Sequence, residues 1–471
     1  MRPFRLSFPM LAIICLIPQV LLGTGNEFHF RLDNSGEAVA ELAASAPGAS
    51  WEVKGNEAAM ANIALDGVYN QDLMVFGSER PSVYRVLLGF LKAGPHTLRV
   101  EREGRWSAPH ARLSVTSVRV RTVLPDSQEF LAIKHAPILY ARADTLGNFS
   151  DAPLLMWYEI FKQPEGLTIK YSIVFSNEDG GTRTDALMSR WGRTTDIEYL
   201  YHVTLDNHDR ITKEVFLGID EKPHPFRGRK EGLHPLILDT TPNNDFTDTG
   251  YSAVQFRFMP VYADLSRHSR EEMMDRFPWT YRVMAEELKR EHKLRPFGTT
   301  EGTKVSDPRN YLFLEMRGGN HQAGLVAWVK LKNSNRWYSS NKGRLDLVIT
   351  RSGWYRTTIE LPPGTSADSI HSLALECVGM PSLDLLGGGS VKVSGRSVLE
   401  SFGKAFLLGA QYRPENILFE VSGPVRFHPG EMHTFRRASG RAQEKNGRQN
   451  EPGMINHENC QHRRSLVGCH W

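Results

Sequence analysis

Residues 81–102 read PSVYRVLLGFLKAGPHTLRVER. Tyr84, Val86 and Leu88 alternate before Lys92-Ala-Gly-Pro95, and Leu98 and Val100 alternate after it. Period-two alternation marks a strand with one buried face, and a Gly-Pro pair marks a turn, so the stretch predicts a hairpin. The pattern continues in ARLSVTSVRVRTV (111–123), where Leu113, Val115, Val118 and Val120 are inward candidates and Arg119 and Arg121 face water. Over 26–124 the natural sum is an all-β sandwich.

The same alternation recurs downstream. LTIKYSIVFS (167–176) alternates Ile169, Tyr171, Ile173 and Phe175; IEYLYHVTLD (197–206) alternates Ile197, Tyr199, Tyr201 and Val203; YSAVQFRFMPVYADL keeps Val254, Phe256 and Phe258 on one face. Phe277, Tyr281, Met284 and Leu288 fall at helical spacing, which predicts one helix near 275–292, with Asp275 capping its first turn and Pro278 tolerated there. The chain has 471 residues, beyond the roughly 250–300 at which a single core stops growing. The expectation is therefore a mainly β, multi-domain protein: β-sandwich modules at 26–124 and 310–436 flank a β-rich central domain at 125–297, with a linker at 298–309 and a disordered basic tail at 437–471.

Composition narrows the function classes. Lys+Arg number 57 against 53 Asp+Glu, and residues 436–471 hold seven basic and three acidic side chains, so the body before them is close to neutral and shows no basic stripe for nucleic acid. Arg2 and Arg5 followed by an apolar run to Leu22 and the small residues Gly23–Gly25 have the layout of a signal peptide ending near residue 25, which predicts a secreted chain with no membrane span after cleavage; the alternative is an uncleaved anchor, against which Pro9 and Pro18 break a run short for a span. Cys377 reads as a small core residue; Cys460 and Cys469, in the tail, can pair but lack the spacing of a structural zinc site. The sequence contains no Gly-rich phosphate loop, HExxH, GxSxG or paired CxxC.

Short polar and charged side chains crowd 176–198, SNEDGGTRTDALMSRWGRTTDIE. Asn177, Glu178 and Asp179 offer oxygens to calcium, or form a polar turn around Asp179-Gly180. A second oxygen-rich run, Asp239, Asn243, Asn244, Asp245 and Asp248, suits calcium or a surface loop equally. Asp196 and Glu198 lie two apart on a strand, with His202 four further along on the same face by parity; this is either a metal or acid–base site or the solvated face of a half-buried strand. Arg190 and Arg193 around Trp191 can clamp a carboxylate or sulfate while the indole stacks on a sugar, or can tie the loop down by pairing with Asp185 and Asp196. His135, in the run His135-Ala136-Pro137, is a candidate proton carrier or a packed loop histidine.

The combination of HAPILYAR (135–142), SNEDGGT (176–182) and ALMSRWGRTTDIE (186–198) resembles a group of secreted bacterial proteins over about a third of the chain. That resemblance implies no activity. HAP followed by Asp144 and a later Asp-x-Glu before a strand also resembles the vacuolar protein sorting-associated protein 62 family of β-rich proteins, and AGPHTLRV (93–100) looks like the last hairpin of carbohydrate-binding sandwich modules. The functional expectation is a secreted protein that binds an oligo- or polysaccharide and acts on an acidic polysaccharide, with His135, Asp196 and Glu198 as catalytic candidates and Arg190, Trp191, Arg193 and His202 as ligand-binding ones. The alternative is a non-catalytic envelope or adhesion protein, or a calcium-stabilised scaffold.

Overall fold

The alternating residues around Lys92 do become strands, Ser82–Leu91 and Gly94–Arg102, but the two do not pair. In the computed structural model Ser82–Leu91 joins Gly36–Ser45 and Ser114–Thr122 in one sheet, while Gly94–Arg102 lies between Glu27–Leu32 and Ala59–Leu65 in another. The predicted hairpin is thus a crossover between the two layers of a sandwich. Tight hairpins need a loop that accepts positive φ, such as Asn-Gly, and Lys92-Ala93 is not one. The turn instead folds Val86 and Leu88 over Leu98 and Val100 in a shared core. The structure describes residues 26–437 except 78, 128, 179, 300, 301, 333, 381–394 and 420–422. The expected signal peptide and the tail with Cys460 and Cys469 therefore lie outside the described residues.

In the middle of the chain a six-stranded sheet runs in the order Pro223–Pro225, Ile211–Leu217, Asp196–Asp206, Gly166–Phe175, Pro153–Gln163, Val261–Tyr262. One face packs Ile169, Tyr171, Ile173 and Tyr201 against Ile133, Leu139 and Ile237, which belong to a short helix and a small sheet. That small sheet is built on the parallel pair Ile138–Tyr140 and His234–Asp239. The other face presents Trp157, Val174 and Ile197 to a second core shared with the N-terminal sandwich and a helix. A sheet covered on both sides leaves its loop ends as the places where polar side chains can gather.

The C-terminal strands also form two layers: Tyr311–His321 and Arg396–Leu408 at the centre of one, Ala323–Leu331 and Ile370–Gly379 at the centre of the other. Cys377 is buried between them, as its sequence neighbours predict.

Among the described residues four short α-helices complete the fold: α1 (Phe130–Lys134), α2 (Thr184–Trp191), α3 (Glu272–Arg276) and α4 (Trp279–Arg290). The single helix expected near 275–292 is broken, because Pro278 has no N–H to continue the ladder through Phe277. Asp275 caps nothing; its carboxylate grips Arg356. Helix α2 was hidden in the polar block, since eight residues are too few for helical periodicity to declare itself. No helix among the described residues is long and apolar enough to cross a membrane.

Candidate functional site

Three segments of the chain converge at one end of the central sheet. Asn244 donates Nδ2 to Asp151 Oδ1 at 3.1 Å and to Asp196 Oδ2 at 2.8 Å, joining the loop before Pro153–Gln163, the start of Asp196–Asp206 and the loop after His234–Asp239. Asp151 and Asn244 take positive φ of 79° and 52°, and Phe149 one of 51°. Side chains rarely adopt that region, and such strain collects where geometry is set for a function. Beside them Asp239 is 3% exposed, and burial pushes its carboxyl up to about 8 despite the charge of Arg142. Burial also raises Asp245.

Asp196 and Glu198 do share a face: they stand opposite Phe175 and Ile173, which point the same way. Glu198 is pushed up to about 8 by burial and by Asp196, while its side chain keeps 22% of its surface open and Arg270 lies 4.0 Å away. His202 is a correction. A bulge inserts Leu200 between the Tyr199–Ser172 and Tyr201–Tyr171 pairs, which turns His202 to the opposite face from Asp196 and Glu198. There it pairs with Lys170, packs on Tyr199 at 4.8 Å between ring centroids, and is held down to about 4 by burial.

His135 is also elsewhere. It ends α1 just before Ile138–Tyr140, near His234, whereas Arg142 and Asp239 follow the other ends of that parallel pair. The five steps from His234 to Asp239 span about 17 Å at strand rise. His135 is 1% exposed, neither ring nitrogen has a hydrogen-bond partner, and burial holds it down to about 4. It is a packed histidine, and the cleft expected to hold it together with Glu198 does not include it.

The arginines divide. Arg193 is 2% exposed and donates to Glu271 at 3.2 Å and to the Thr195 carbonyl, with Asp196 at 3.7 Å. Of its two sequence readings the geometry is that of the tie. Trp191 is not a bare stacking platform, because the guanidinium carbons of Arg190 and Arg351 sit 4.5 and 4.9 Å from its ring centroid. Arg351 reaches Trp191 from the C-terminal sandwich and Arg270 reaches Glu198 from the turn before α3. Neither was singled out in the sequence, since both lie far from 176–198 with no motif of their own. Asp239 and Asn244 did carry a signal, the oxygen-rich run after His234.

For a metal, Asn177 is buried and its Oδ1 already accepts from Lys293 Nζ at 3.2 Å; burial raises Glu178, and Asp179 lies outside the described residues. Ligand atoms of His268, Glu272 and Glu315 gather within 4.8 Å of one another. Lys404 bonds Glu272, however, and Arg356 bonds Glu315 at 3.2 Å, so protein cations already face two of those carboxylates. The oxygen-only donor set that calcium prefers is not what this histidine-containing group offers.

No family model matches the chain, and no curated protein does. Among solved structures it is similar to a CBM36-1 domain of a multidomain xylanase from the hindgut metagenome of Trinervitermes trinervoides (13% identity, 22% of this chain and 77% of that one, TM-score 0.16). It is also similar to NLPPya in complex with mannosamine (11%, 40% and 86%, 0.21) and to a beta-glucosidase from Paenibacillus barengoltzii (12%, 21% and 10%, 0.17). The chain thus spans about a tenth of the length of that glucosidase, and at these scores the likeness is local.

Proposed function

We propose that this chain binds a glycan and acts on an acidic polysaccharide at the loop end of its central sheet, with Glu198 as proton donor. What supports this reading is the placement of Glu198: it shares a face with Asp196, keeps 22% of its side chain open to solvent and has a guanidinium 4.0 Å away, while burial and Asp196 push its carboxyl up to about 8. An acid of that kind can pass its proton to a departing glycosidic oxygen at neutral pH, while Arg270 offsets the charge of a uronate. Asp196 is a positioning residue: held by Asn244 and beside Arg193, its charge keeps the proton on Glu198.

The test is incubation of the full chain with polygalacturonate, alginate, hyaluronan and neutral xylan, following reducing ends. The expected result is product from a uronate polymer, a rate that falls as pH rises through about 8, and loss of turnover in Glu198→Gln with oligosaccharide binding retained. Absence of product from every uronate polymer, or an unchanged Glu198→Gln, overturns the reading.

A further inference from the structure

Two guanidinium groups from distant parts of the chain meet at one indole, and neither has a carboxylate partner within ion-pair distance among the described residues. Arg190 lies in the last turn of α2, and the one carboxylate whose charge reaches it, Asp346, is bonded to Arg183 and, at 2.8 Å, to Arg344. Arg351 donates Nη2 to the Arg190 carbonyl at 2.7 Å, and its Nε is buried with no acceptor. Arg270 has Glu198 at 4.0 Å, and its charge also reaches Glu271. Glu271, the buried carboxylate of the group, is engaged by Arg193.

We propose that Arg190, Arg270 and Arg351 form an oxyanion-binding subsite beside Trp191, between α2 and the C-terminal sandwich, that takes the carboxylate or sulfate substituent of a sugar. Arginine forks match planar carboxylates and sulfate oxygens, and a partly buried guanidinium without a counter-charge is costly unless an anion arrives. The positive excess registers in Arg351 itself, which burial and the charges of Arg193, Arg270 and Arg190 pull down to about 10 in spite of Glu271. All four side chains keep some surface in solvent, which gives the anion a way in. The subsite depends on the glycan reading for the carrier of the anion, not for anion binding as such.

The test is the thermal unfolding midpoint of the full chain against sodium sulfate and sodium chloride at matched ionic strength, and against trigalacturonate, a sulfated trisaccharide and xylotriose. Ligand that binds only the folded state raises the midpoint in a saturable way. The expected result is a saturable rise with sulfate beyond chloride and a larger one with one anionic sugar, which identifies the carrier. Affinity should fall at least tenfold in Arg351→Met, which keeps an apolar stem against Trp191, and in the more exposed Arg190→Gln. A wild-type response no larger than chloride, or equal responses in both variants, overturns the subsite. A sulfate response that persists in Glu198→Gln supports it even where no polymer is cleaved; that outcome defeats the proton-donor reading alone.

Discussion

Arg351 and Arg356 are five residues apart and their surroundings are opposite. Arg356 is fully buried and forks onto both oxygens of Asp275 at 2.8 Å, with Glu315 at 3.2 Å and the Tyr281 hydroxyl at 2.8 Å. Glu315 in turn accepts from His268 and Ser269; against the upward push of burial these bonds and Arg356 hold it down to about 2. This group pins α3 and α4 to the C-terminal sandwich. Arg351 contacts a carbonyl and an indole, and the charge of Glu271 reaches it only from beyond ion-pair distance. Buried charge that serves the fold comes with its counter-charges; charge that lacks them is either kept neutral or waits for a ligand.

The largest test of that contrast is Arg356→Met, which leaves Asp275 and Glu315 buried without their cation. It is expected to cost about 3–5 kcal/mol in urea unfolding. A loss under about 1 kcal/mol would mean that the ion group is not the joint it looks like.

Asp239 is a buried carboxyl that keeps its proton because burial outweighs the charge of Arg142 and a backbone hydrogen bond from Thr241, while Oδ1 meets no donor. The unfolded chain loses that proton near pH 4 and the folded one near 8, so the unfolded state binds fewer protons in between and stability falls as pH rises from about 4 to 8. Asp239→Asn should flatten the decline by on the order of 3 kcal/mol between pH 5 and 8, read from unfolding curves at several pH values.

His135 tests the opposite sign. Its folded value near 4 lies below the ordinary 6.5, so the unfolded state takes up the proton first and stability is lost as pH falls from about 6.5 toward 4. His135→Leu should recover about 2 kcal/mol near pH 5 and leave pH 8 little changed.

Gly192 sits between the two arginine environments. Its φ is 70°, and a Cβ there would stand 2.8 Å from Arg356 Cγ. Gly192→Ala is expected to cost about 1–2 kcal/mol at every pH, through backbone strain and a displaced Arg356. The smallest effect belongs to Arg351→Met without ligand: within about 0.5 kcal/mol of wild type, since no ion pair is lost. A loss as large as that of Arg356→Met would erase the distinction between the two residues.

Much of the fold was legible locally. The strands at 166–175 and 196–206, the apolar face of α4 and the two terminal sandwiches follow from side-chain periodicity, which the chain writes into neighbouring residues. Periodicity failed where one residue changed the count. The bulge at Leu200 reversed His202, and Pro278 split a helix whose spacing was otherwise continuous. The crossover at Lys92 failed differently, because alternation reports which face is buried and not which strand lies alongside.

For the candidate site, the crowded polar residues at 176–198 and the carboxylate pair at Asp196 and Glu198 could be read from the sequence, since residue type and i, i+2 spacing are local properties. Burial, protonation and pairing could not. Glu198 is pushed up by what surrounds it, Arg193 is used up by Glu271 from 78 residues away, and Arg351 comes to Trp191 from the C-terminal sandwich. The chain itself determined which segments are strands and which side chains can carry charge. The tertiary structure alone decided which charges are neutralised, because desolvation and Coulomb energy depend on distance in space and not on separation along the chain.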